Sequence, residues 1–159
     1  MIIITTSKNY TKMQKSLFLF FLLISLSSLG QRVANFSFGE YGSKDFESYS
    51  FWVSGNKRAN IDYSYVTKSG QSRDLKLTYL GTDYLNGEIG FKVKFPNNLI
   101  LYVIPKQGGN LRISSLDGTY NKYFNWLYEG PVDGKGTFCE PCAENENDAI
   151  KILKLYFLR

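Results

Sequence analysis

From Val33 to Tyr128 apolar and polar residues alternate in short runs. Ile61, Tyr63 and Tyr65 alternate with Asp62 and Ser64. Leu75, Leu77 and Tyr79 alternate with Lys76 and Thr78, and Ile89, Phe91, Val93 and Phe95 with Gly90, Lys92 and Lys94. A period of two puts one set of side chains in a core and the other in water, the pattern of a half-buried strand. Gly55-Asn56, Lys68-Ser69-Gly70, Asn86-Gly87, Pro96-Asn97-Asn98, Gly108-Gly109-Asn110 and Asp117-Gly118 lie between the runs. These residues tolerate positive φ or preset a turn. The spacing predicts about eight strands in an antiparallel meander. The expected fold class is all-β, a barrel or strongly curled sheet with one short C-terminal helix packed on it.

Two stretches depart from the alternation. Leu99 to Ile104 is apolar without interruption, as in a strand covered on both faces. Ala149, Ile152, Leu153 and Tyr156 recur at helical spacing, with Glu144, Glu146 and Asp148 ahead of Lys151, Lys154 and Arg159. That charge order suits the helix macrodipole and predicts a helix over about 143–158. The tail is the expected cover for the outer face of the 99–104 strand. A final strand competes with this reading, because Lys151 to Phe157 also nearly alternates.

The first thirty residues follow another rule. Lys8, Lys12 and Lys15 precede the apolar run Leu17 to Leu26, and Ser28 and Gly30 stand at −3 and −1 of a cut before Gln31. A positive segment, a short apolar core and a small-residue cut site describe a secretory signal peptide. The core is half of the roughly 20 apolar residues that a transmembrane helix needs, so no integral span is expected after cleavage. The expectation is a leader over 1–30, a single β-rich domain over 31–159, and export to the periplasm or the extracellular space. Without the leader the charge falls from +5 to 16 basic against 14 acidic residues. That balance gives no reason to expect a nucleic acid partner.

Histidine is absent. Its absence removes Ser-His-Asp and Cys-His nucleophile systems and the common zinc sites, so no catalytic residue, metal or cofactor is assigned. Cys139-Glu140-Pro141-Cys142 is the sharpest local motif, and in an oxidising compartment the pair is expected to be bridged. It resembles the active-site tetrad of thioredoxin-like proteins, which implies thiol–disulfide exchange. Only 17 residues follow Cys142, too few for the rest of that fold, and a local staple before the tail helix is the favoured reading. Tyr128-Glu129-Gly130 with Gly134 to Phe138 resembles one MORN unit, but a single unit forms no array.

Eight strands followed by a helix resemble the layout of lipocalin-type calycins, although Gly-Asn-Lys stands after Phe51-Trp52-Val53-Ser54 where a Gly-x-Trp signature would be sought. The leading functional expectation is a non-enzymatic binder of a small apolar or amphipathic molecule in the barrel mouth. Trp52, Tyr63, Tyr79, Phe91 and Trp126 are the expected lining. The second is a module that holds a protein or envelope component through surface tyrosines, namely Tyr41, Tyr49, Tyr84, Tyr120 and Tyr123. The third is a thiol oxidoreductase at Cys139 and Cys142.

Overall fold

Residues 32–53, 58–127 and 142–159 are described in the computed structural model. They form eight strands, β1 (Arg32–Phe38), β2 (Glu47–Val53), β3 (Ala59–Val66), β4 (Ser72–Leu85), β5 (Glu88–Lys94), β6 (Ile100–Pro105), β7 (Asn110–Ser114) and β8 (Asn121–Trp126). One helix follows, α1 (Glu146–Phe157). Each strand pairs antiparallel with the next. Phe36 and Ser37 of β1 then meet Trp126 and Asn125 of β8, which closes the barrel. Among the described residues every strand has a paired neighbour on both sides, so no strand stands as a free edge along its whole length.

The alternation read from the sequence is the inside–outside alternation of this barrel. Phe36, Tyr49, Phe51, Ile61, Phe91, Val93, Leu101, Val103, Leu111, Ile113 and Phe124 face inward and are almost completely buried. Each such side chain contributes on the order of 1.5–3 kcal/mol of hydrophobic stabilisation. One end of the barrel is sealed by α1. Its Ala149, Ile152, Leu153 and Phe157 join the interior core, and the Phe157 ring packs 5.2–5.7 Å from those of Phe51, Tyr79 and Phe91. Asn145 caps the helix by accepting from the Asp148 N–H at 3.0 Å. The Tyr79 hydroxyl donates to the Phe157 carbonyl at 2.7 Å and that of Thr82 to the Arg159 carbonyl at 2.7 Å. The first satisfies a carbonyl that the helix end leaves open, and the second ties down the residues after it.

The expected cover for the outer face of β6 needs correction. Tyr102 and Ile104 do face outward, yet they are buried in a small cluster with Leu85, while α1 packs with the interior. The cause is a bulge in β4 between Tyr79 and Gly81. One extra residue reverses the faces beyond it, so Thr82 pairs with inward Phe91 and Leu85 turns outward with Glu88. Gly81, with φ of +101°, marks the bulge. Asn86 and Gly87 close the hairpin with φ of +52° and +81°, the conformation of a two-residue type I′ turn.

Candidate functional site

The barrel end away from α1 has a different lining. In the β1–β2 register Phe36 faces Tyr49 and Phe38 faces Glu47, and in β2–β3 Tyr49 faces Tyr63 and Glu47 faces Tyr65. Glu47 is therefore in phase with the inward set, as is Lys122 with Phe124 on β8. An inward carboxylate is costly unless it is paired and hydrogen-bonded. Lys122 Nζ bonds Glu47 Oε1, and Tyr120, just before β8, donates its hydroxyl to Glu47 Oε2 at 2.7 Å. The Lys122 ammonium also lies 4.6 Å from the centre of the Phe38 ring and 5.4 Å from that of Tyr120, where the ring faces attract a cation.

Tyr49 forms the floor beneath this pair. Its ring meets Tyr63 at 4.7 Å and Phe124 edge-on at 5.0 Å, and Tyr63 continues outward to Tyr65 at 5.4 Å and Phe95 at 5.2 Å. Tyr49 is fully buried, and among the described residues no hydrogen bond of normal geometry reaches its hydroxyl, although the Tyr120 hydroxyl lies close enough to oppose part of the rise in its pKa. A buried polar group left unsatisfied costs about 1–3 kcal/mol. Phe38, Glu47, Tyr63, Tyr65, Tyr120 and Lys122 around it are half-buried.

The electrostatics of the mouth are those of hydroxyls kept neutral. Burial, with the neighbouring Tyr63, pushes Tyr49 well above the usual tyrosine range. Burial and then Glu47 raise Tyr63, and burial, Tyr49 and Glu47 raise Tyr120. All three hydroxyls stay protonated across the physiological range and can donate. Glu47 and Lys122 cancel in charge, which leaves aromatic rings and neutral hydroxyls as the main lining of this end of the barrel.

The five residues expected to line a pocket do not converge. Tyr63 is at the mouth. Tyr79 and Phe91 lie at the sealed end around Phe157. Trp126, half-buried, faces inward opposite Phe36 near that same end. Trp52 faces outward, where its indole N–H donates to Asp62 at 2.7 Å. Of the tyrosines considered for an outer surface, Tyr49 is interior and Tyr120 belongs to the mouth. Tyr41, Tyr84 and Tyr123 are 87%, 64% and 54% exposed, on the β1–β2 loop, the β4–β5 hairpin and the β8 outer face, and so form no common patch.

Glu47 and Lys122 escaped the sequence reading, although their phase was legible. Glu47-Ser48-Tyr49-Ser50-Phe51 puts the charge in step with the aromatic residues, and Lys122 keeps step with Phe124 and Trp126. Cys139 lies outside the described residues, and so do the expected Cys139–Cys142 disulfide and the expected 1–30 leader. Cys142 bridges to Val33 of β1, and the Ala143 N–H donates to the Val33 carbonyl at 2.8 Å. Among the described residues no group of three or more His, Cys, Asp or Glu could hold a metal, and no helix is long and apolar enough to cross a membrane. No family model, curated protein or solved structure matches the chain.

Proposed function

We propose that this chain is an exported, non-enzymatic binding protein that seats a small amphipathic molecule in the mouth of its barrel. The observation that carries the proposal is the Tyr49 hydroxyl, buried, protonated and without a hydrogen bond of normal geometry among the described residues, beneath the aromatic side chains of the mouth. Barrel mouths are favoured ligand sites. A ligand with one polar head and a flat apolar body recovers the cost of that lone hydroxyl and covers the half-buried faces of Phe38, Tyr63 and Tyr65. The interior beyond Tyr49 is occupied by Phe51, Phe91 and Phe157, so the ligand sits shallow. A Cys139–Cys142 bridge fits this reading as a staple that delivers α1 to the sealed end.

A thermal-shift screen of small amphipathic compounds tests the proposal. A true ligand at a hundred times its Kd stabilises the fold by about 2.7 kcal/mol, a rise in Tm on the order of 10 °C for a domain of this size. Tyr49→Phe is expected to cancel most of the rise. Compounds that stabilise Tyr49→Phe as strongly as the parent would place binding elsewhere and overturn the reading.

A further inference from the structure

The outer wall carries a second feature that the mouth does not use. Trp52, Ala59, Asn60, Ile61, Asp62, Lys76 and Leu77 line a hollow of about 80 Å³ across β2, β3 and β4. The indole N–H of Trp52 donates to Asp62 Oδ2 at 2.7 Å, which fixes the ring's orientation. Asn60 donates its amide to the Arg58 carbonyl at 3.0 Å and keeps its side-chain oxygen as an acceptor. Lys76 is exposed and stands opposite Asp62 in the β3–β4 register, without an ion pair among the described residues.

We infer that this hollow is a saccharide site for the ring of a neutral pyranoside. A sugar ring presents an apolar C–H face and a rim of hydroxyls that both donate and accept. The hollow offers the matching set: a fixed indole, the carboxylate of Asp62 and the oxygen of Asn60 as acceptors, and the Lys76 ammonium as donor. A purely apolar ligand would strip water from those three groups and return nothing. The size is also decisive. At about 30 Å³ per water the hollow holds two or three waters, far below the roughly 300–1,000 Å³ of a drug-sized pocket. A sugar therefore stacks over Trp52 and sends one edge of hydroxyls into the hollow. Binding of a single ring at so small a hollow is weak, and successive rings of a polymer would add to it. The site is independent of the barrel mouth.

The chain has two tryptophans, so Trp126→Phe leaves Trp52 as the single emitter. Its fluorescence is titrated with the methyl glycosides of glucose, galactose, mannose and N-acetylglucosamine, with glycerol as the control for bulk solvent effects. At least one glycoside should give a saturable change that glycerol does not, and Asp62→Ala should weaken it ten-fold or more. Lys76→Ala, at an exposed position, should do likewise and keeps the test sound even where Asp62→Ala loosens the barrel. Only the linear drift of glycerol with all four glycosides, or a saturable change that survives both substitutions, would overturn the assignment.

Discussion

Along β2 the inward-facing residues run Glu47, Tyr49, Phe51, Val53, from charged to hydroxylated to wholly apolar. Each is placed by the same two-residue period, so the chemistry of the mouth follows from which residue type falls at the end of the row. Tyr49 is the pivotal one. Without ligand, Tyr49→Phe removes a buried hydroxyl that makes no hydrogen bond of normal geometry among the described residues, and urea unfolding should find the variant as stable as the parent or more so by up to about 1 kcal/mol. A loss beyond 1 kcal/mol would mean that the hydroxyl has a partner in the free protein. Glu47→Ala acts in the opposite sense. It strands the Lys122 ammonium and the Tyr120 hydroxyl, and since the Lys122 and Glu47 side chains are only 32% and 14% exposed, the same measurement should read a loss of about 1–3 kcal/mol.

At the scale of elements, periodicity and turn residues made the strands legible, and Asn86-Gly87 marked a hairpin that the fold contains. The position of the helix was not legible. Helical spacing at Ala149, Ile152 and Leu153 identifies an apolar face without saying which apolar surface receives it. The uncovered face of the Leu99–Ile104 run offered a plausible partner, and nothing in the alternation announced the bulge at Gly81 that turns Leu85 over that face. The mouth was half legible, since Tyr63 stood in the expected set while Glu47 and Lys122 look like surface charges until closure turns their phase inward. For α1, Phe157→Ala should cost about 3–5 kcal/mol, because the ring packs against three others at the sealed end. Gly90→Ala should also destabilise, measurably by denaturant midpoint, since the added Cβ would lie 2.6 Å from the Val103 carbonyl oxygen and 2.9 Å from Ile104 Cγ1.

For the whole molecule, the three mouth tyrosines set a dependence on pH. Their folded pKa values lie above the unfolded value near 10, so the stability they contribute is complete below pH 10. It is lost as pH rises beyond that, because only the unfolded chain ionises them freely. Asp83, Glu88 and Asp117 act at the other limit. Hydrogen bonds from Lys92, Lys106 and Ser115 respectively lower their pKa values. Their contribution is present above about pH 4 and fades as pH falls through the lowered folded values. Denaturation midpoints across pH 3–12, read with tyrosinate absorbance, should show a plateau that declines above pH 10 together with late ionisation of the buried tyrosines. Full ionisation of every tyrosine near pH 10 in the folded state would refute the buried mouth.

The central claim is that the mouth holds a small molecule, and native mass spectrometry of the protein purified gently from its own host addresses it most directly. The account predicts an added mass of small-molecule size, lost on denaturation and absent when Tyr49→Phe is purified in the same way. A bare polypeptide mass for the parent, or the same adduct retained by Tyr49→Phe, would contradict it.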